Sequence, residues 1–158
     1  MNKIKNIKLV VTDIDGVWTD AKMHYTNDGD FMKSFSTYDG MAVQILREKG
    51  LETVIITSEN SKIVLERAKK LKIENIVLNE KNKLKKLKEI CASKKISLKE
   101  VAYIGDDLND IEVLENVGFS ALSNNSPIKD KVNVDYVTVR KGGDGAFREF
   151  ADLIIKER

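Results

Sequence analysis

The chain has 158 residues, of which 42% are hydrophobic, 33% are charged and one is proline, a composition that excludes disorder and low complexity and suffices for one globular domain with its own core. Lys plus Arg (27) against Asp plus Glu (25) leaves a net charge of +2, too little for a dedicated nucleic-acid binder and compatible with a phosphorylated small molecule. The single Cys91 excludes an internal disulfide framework, Met1-Asn2-Lys3-Ile4-Lys5 contains no apolar signal region, and no apolar run approaches the roughly 20 residues of a membrane span. A reducing cytoplasm, with neither membrane nor nucleic acid as partner, is the expected setting.

In chain order, an apolar run at 7–12 predicts the first strand. Residues 21–35 carry Asn27-Asp28-Gly29 between two alternating runs, the signal of a β-hairpin. Then follow a helix at 41–49, a strand at 53–57, a helix at 61–71, a strand at 75–78, a helix at 83–92, a strand at 101–104, a helix at 111–117, strands at 118–122 and 136–139, and a last helix at 146–155. Strands apolar on both faces belong to a parallel sheet covered on two sides, and their alternation with helices predicts a three-layer, doubly wound α/β domain across residues 1–158. The hairpin projects from the end of the first strand. Because an isolated ribbon is marginal in water, it is expected to act as a lid or to pack against another subunit.

Ligands of an open α/β sheet bind beyond the carboxyl ends of its strands. The first strand ends in Asp13-Ile14-Asp15-Gly16-Val17-Trp18-Thr19-Asp20, the second in Thr57-Ser58-Glu59-Asn60, and a later one in Gly105-Asp106-Asp107-Leu108-Asn109-Asp110. So many carboxylates at one edge repel one another unless a cation sits among them, and hard oxygen ligands suit Mg²⁺. Lys83, at the start of a helix, adds a positive charge to the same edge. Each feature alone has a plainer reading: Asp-x-Asp as a surface turn, Thr57 as a helix N-cap, Lys83 as one lysine of a solvated face. His24 and Cys91 have no partner at metal-ligand spacing and are read as ordinary hairpin and helix residues.

Asp-x-Asp-Gly-Val-x-Thr, a strand-end Thr/Ser, a Lys and Gly-Asp-Asp-x-x-Asp, in this order, resemble the four motifs of the haloacid dehalogenase-like phosphohydrolases over nearly the whole chain. The resemblance implies that Asp13 attacks phosphorus, that Asp15 is the acid/base, and that Mg²⁺ is held by Asp13, the backbone carbonyl of Asp15 and Asp106. It further implies that Thr57 and Lys83 grip the phosphoryl oxygens while Asp107 and Asp110 orient the waters of the metal and Lys83. About 25 residues between Thr57 and Lys83 leave no room for a cap domain.

Tyr38-Asp39-Gly40 and Gly142-Gly143-Asp144-Gly145-Ala146-Phe147-Arg148-Glu149 extend the resemblance to the small, uncapped, tetrameric branch that hydrolyses phosphate esters of 2-keto-3-deoxy sugar acids. Within it, Trp18, Glu59 and Lys70 favour a nine-carbon nonulosonate 9-phosphate, with the eight-carbon 3-deoxy-manno-octulosonate 8-phosphate as the alternative. Ser58 stands where a glycine is usual and lies beside the phosphate. Glu59 and Lys70 are eleven residues apart, about 16 Å along a helix, so one of them is expected to act from a neighbouring subunit. Arg67 and Lys70, spaced i and i+3, read either as two cations presented to the sugar-acid carboxylate in an adjoining subunit's site or as plain exposed helix charges. The loop 142–145 reads as a helix N-terminal anion site or as a plain turn. Two further classes are weighed. A phosphorylatable receiver domain is disfavoured because the third strand ends in Leu78-Asn79, and a silent assembly module because Asp13, Asp15, Lys83 and Asp106 are all present.

Overall fold

The computed structural model describes residues 3–158; Met1 and Asn2, which open the segment read as lacking a signal region, lie outside them. A six-stranded parallel sheet is built from β1 (Leu9–Thr12), β4 (Glu52–Ile56), β5 (Ile76–Val77), β6 (Val101–Gly105), β7 (Phe119–Leu122) and β8 (Tyr136–Val137), in the order β5-β4-β1-β6-β7-β8. The order reverses at β1, placing β4 on one side and β6 on the other. This is the switch point at which an open α/β sheet forms its crevice.

Neighbouring residues of a strand serve opposite faces. Val10, Ile55 and Ala102 join the core that α1 (Thr37–Glu48), α2 (Lys62–Lys70) and α5 (Ala146–Glu157) cover, while Val11, Val54 and Tyr103 join the core under α3 (Lys83–Lys94) and α4 (Ile111–Asn116). The expected three-layer architecture is thereby observed, and the apolar character of both strand faces follows from it. Cys91 is one of the buried residues of the second core, in keeping with its plain reading.

The hairpin forms a separate antiparallel ribbon of β2 (His24–Thr26) and β3 (Gly29–Met32), turning at Asn27-Asp28 with Gly29 at φ +106°. His24 meets Phe31 edge-on, with ring centroids 6.2 Å apart, as an ordinary hairpin residue. Helix α1 starts four residues before the expected 41, because Ser36 caps it by accepting from the Tyr38 N–H at 3.2 Å. The hairpin strands begin and end three residues inside the expected 21–35, the remaining boundaries fall within two residues of expectation, and no helix among the described residues is long and apolar enough to cross a membrane.

Candidate active site

Because β1, β4 and β6 run parallel, the residues just past their carboxyl ends, Asp13, Thr57 and Asp106, meet at one edge of the sheet. They line a cleft of about 180 Å³ together with Asp15, Ser58 and Glu59. A larger cavity of about 340 Å³ lies at the amino end of β4, against Glu52 and Thr53, and holds no cluster of facing carboxylates among the described residues.

Asp13 sits on the floor. Its Oδ1 accepts from the Ile14 N–H at 2.7 Å, and its Oδ2 lies 2.9 Å from Lys83 Nζ. Lys83, the first residue of α3, is 2% exposed and donates also to Asp110 Oδ1 at 2.8 Å. Asn82 fixes the start of that helix by accepting from the Lys85 N–H at 3.0 Å. One lysine among six neighbours of its own kind thus leaves the solvated face, where α3 begins beside the cleft. Burial opposes its charge, but Asp13 and Asp110 outweigh burial and keep the ammonium above its ordinary pKa.

Asp13, Asp106 and Asp110 each place a carboxylate oxygen within 4.8 Å of the others. Their roles differ by their remaining partners. Asp110 Oδ1 takes Lys83 and the Tyr103 hydroxyl, while its Oδ2 takes the backbone N–H groups of Asp106 at 2.8 Å and Asp107 at 3.3 Å. All its capacity is used by the protein, so Asp110 braces Lys83 and the Asp106 loop. Asp13 and Asp106 are less committed: burial raises the Asp106 carboxyl to about 8, reinforced by Asp13, and burial raises Asp13 to about 7, reinforced by Asp110. Two hard oxygen donors held so close, each strained toward its neutral form, are suited to a divalent cation, which removes the conflict. Asp107 does not touch Lys83. Its Oδ1 accepts from the Leu108 N–H at 2.7 Å, capping the turn Leu108–Asp110 at the cleft wall, so the expected help to Lys83 comes from Asp110 alone.

Two glycines are steric conditions of this packing. Gly16 has φ +86°, and a Cβ on it would stand 1.8 Å from Asp106 Oδ2; a Cβ on Gly105 would stand 2.5 Å from the Asp110 carboxyl. Any side chain at either position would push the carboxylates apart.

The Thr57 side chain is buried, its Oγ1 accepting from the Glu59 N–H at 3.4 Å. It does not cap α2, whose N-cap is Ser61, so the capping alternative for Thr57 falls away. Ser58 Oγ donates to the Glu80 carbonyl at 3.1 Å and accepts from Asn109 Nδ2 at 2.9 Å; Glu59 is exposed at the rim. Arg67 and Lys70 are not brought to this cleft. Arg67 Nη2 donates to the Ser36 carbonyl at 3.3 Å and its guanidinium lies 5.6 Å from the Phe35 ring centre, whereas Lys70 is exposed at the end of α2.

The loop 142–145 is a turn, not an anion site. Gly142 donates to Asn125 Oδ1 at 2.6 Å, and the N-terminus of α5 already holds the buried Asp39, whose Oδ1 accepts from the Arg148 N–H at 2.8 Å. Trp18 is fully buried, donating from Nε1 to Thr12 Oγ1 at 3.0 Å and packing on Phe147 at 5.0 Å. It reads the core and not a substrate, which removes one of the three marks taken for nine carbons.

Sequence reasoning passed over Lys33, Tyr103 and Asn109. Lys33 follows Phe31 and Met32 on the hairpin and has no exposed side-chain area, its Nζ lying 2.8 Å from Asp15 Oδ1. Nothing in the local pattern distinguishes it from a surface lysine.

A nucleophile-like carboxylate on the first strand, a lysine opening a distant helix and a carboxylate pair after the next strand define a hydrolase of the haloacid dehalogenase-like family. The chain belongs to that family: residues 58–150 match its haloacid dehalogenase-like hydrolase pattern. The 3-deoxy-D-manno-octulosonate 8-phosphate phosphatase of Haemophilus influenzae is 34% identical over 154 residues, spanning 98% of this chain and 86% of that protein. The enzyme of the same description from Moraxella catarrhalis, solved in complex with magnesium ion, phosphate ion and KDO, superposes with a TM-score of 0.94 at 36% identity, over 99% of this chain and 90% of that one. A cobalt-bound structure of the Haemophilus influenzae phosphatase gives 0.93 at 34% identity, over 98% and 90%. Each of these relatives is described by the eight-carbon ester, the alternative of the two substrates weighed from the sequence, and not by the nine-carbon one.

Proposed function

We propose that the chain is a Mg²⁺-dependent phosphatase that removes the terminal phosphate of 3-deoxy-D-manno-octulosonate 8-phosphate. The observation that carries this reading is Asp13: a buried carboxylate at a strand end, with one oxygen on the Lys83 ammonium and Asp106 beside it, at the bottom of an open cleft. The relatives that carry the same ester in their descriptions support the substrate.

Asp13, Asp106 and the backbone carbonyl of Asp15 would hold Mg²⁺, which when bound supplies the positive charge that lets a carboxylate approach a phosphate. The Asp13 carboxylate forms a bond to phosphorus as the ester P–O bond breaks, and Asp15 gives its proton to the departing sugar oxygen. Asp15, then a carboxylate, takes a proton from water; the water oxygen bonds to phosphorus and the Asp13–phosphorus bond breaks. Inorganic phosphate and the sugar acid are released, and both aspartates are restored. Lys83 and Thr57 hold the phosphoryl oxygens at the floor of the cleft, while Asp110 keeps Lys83 aimed at Asp13. Ser58 and Glu59, at the rim, face the sugar.

The same reading includes a homotetramer. Tyr25 (63% exposed) and Phe31 (56%) stand on a two-stranded ribbon that has no sheet of its own to cover it, which favours burial against other subunits. Lys70, exposed where Arg67 is held against Phe35, is the cation of α2 suited to meet a sugar-acid carboxylate in a neighbour's site.

Steady-state phosphate release from the eight-carbon 8-phosphate and from a nine-carbon nonulosonate 9-phosphate, with Mg²⁺ and with EDTA, tests the assignment. The expected result is a higher kcat/KM for the eight-carbon ester, loss of activity in EDTA, and its return on adding Mg²⁺. Preference for nine carbons, or turnover without metal, overturns it.

A further inference from the structure

Asp15 differs from the other carboxylates of the cleft in how little holds it. Asp13 has a backbone N–H and Lys83, and Asp110 has four donors, but the Asp15 side chain has one hydrogen-bond partner among the described residues. That partner is Lys33 Nζ, 2.8 Å from Oδ1, while Oδ2 is buried and has no partner among the described residues.

Lys33 stands immediately past β3, on the hairpin, yet its side chain has 0% exposure. A lysine that served only solubility would keep its ammonium in water; a buried one persists when carboxylates surround it. Here Asp30 Oδ2 is the second, 3.5 Å away, and it also accepts from Ser61 Oγ at 3.3 Å. Lys33 therefore spans from the first-strand loop to the hairpin, and through Asp30 to Ser61, the residue just before α2. We infer that Lys33 is a positioning residue for the acid/base step: by holding Oδ1 it fixes the orientation of the Asp15 carboxyl that exchanges a proton with the leaving group and with water. The hairpin thus sets the geometry of proton transfer besides packing against neighbours. This rests on the role proposed above for Asp15.

A mere hairpin prop and a positioning residue differ in their dependence on the leaving group. The esters compared are the eight-carbon sugar-acid phosphate, phenyl phosphate and 2,4-dinitrophenyl phosphate, whose phenolate departs without needing a proton. With the full chain and saturating Mg²⁺, kcat/KM is measured for the parent, Lys33→Met, Lys33→Arg and Asp15→Asn, because kcat/KM reports the steps up to departure of the alcohol. The expected result is a loss of about 100-fold for Lys33→Met on the sugar and phenyl esters, as for a displaced general acid, with less than about 10-fold on the dinitrophenyl ester. Lys33→Arg, which restores a cation near Oδ1, should recover part of the loss. If Lys33→Met is not obtained folded, Lys33→Gln is read in the same way.

Equal losses on all three esters, or none, overturn the inference, since a lysine that only props the hairpin slows every ester alike. Asp15→Asn separates the two levels. If it too spares the sugar ester, the acid/base assignment of Asp15 is wrong and the inference falls with it; if it shows the leaving-group dependence while Lys33→Met does not, only the inference falls.

Discussion

At the scale of single residues the site is a set of charges that need one another. Among the described residues, Lys83 is the only cation within bonding distance of both Asp13 and Asp110, and all three are nearly or fully buried. Replacing it by Met leaves two facing carboxylates without their counter-charge. Such a loss costs about 3–5 kcal/mol, which for a domain of this size is on the order of 10 °C in Tm. Lys83→Met should therefore melt well below the parent in calorimetry as well as fail to release phosphate. A variant that melts with the parent would mean that the carboxylates relax apart and that the ion cluster is not rigid. Asp13→Asn makes the complementary case: the amide keeps the shape and removes the nucleophile, so phosphate release should fall by about 10³-fold or more while circular dichroism is unchanged.

At the scale of elements, α5 and α1 are joined by a buried carboxylate. Asp39 accepts from the N-terminal N–H groups of α5, but burial dominates and raises its pKa from the ordinary 3.8 to about 6. A folded-state pKa above the unfolded one means that the native state binds the proton more tightly. The stability this gives is fully present below about pH 4 and is lost as pH rises through about 6. Asp39→Asn keeps an acceptor oxygen for the Arg148 N–H and cannot ionise. Its stability relative to the parent, from urea melts at a series of pH values, should climb by about 2–3 kcal/mol between pH 4 and pH 7 and then level off. A difference independent of pH would mean that the Arg67 guanidinium and the helix N-terminus already hold Asp39 ionised.

At the scale of the whole molecule, the proposed assembly predicts complementation. Asp13→Asn chains lack the nucleophile and Lys70→Ala chains lack the cation expected to reach a neighbour. Mixed oligomers contain sites that combine an intact Asp13 from one subunit with an intact Lys70 from another, so sugar-acid phosphatase activity should partly return on mixing. Native mass spectrometry verifies that mixed species form. No recovery in confirmed mixed oligomers would mean that each chain completes its own site and that Lys70 is a surface charge.

The strands, their two apolar faces and the alternation with helices were legible in the sequence because burial on both sides of a parallel sheet leaves a local pattern of β-branched residues. The order of the charged strand ends was legible for the same reason, since parallel strands deliver their carboxyl ends to one edge. The family was carried by Asp13, Asp15, Lys83 and the run from Gly105 to Asp110, and the structure brings Asp13, Lys83, Asp106 and Asp110 together. What only the tertiary structure decided concerns which way a side chain turns. Trp18, taken as a mark of the substrate, faces the core. Asp107 caps its own turn while Asp110 braces Lys83. The loop 142–145 lies at a helix whose N-terminus Asp39 already fills. Lys33, unremarkable in a hairpin of exposed residues, is buried against Asp15 from 18 positions away. Periodicity encodes the face of an element that meets the core, because every residue of that face shares the same solvent; a single polar side chain takes its partner from another element, and that distance through the chain leaves no local trace.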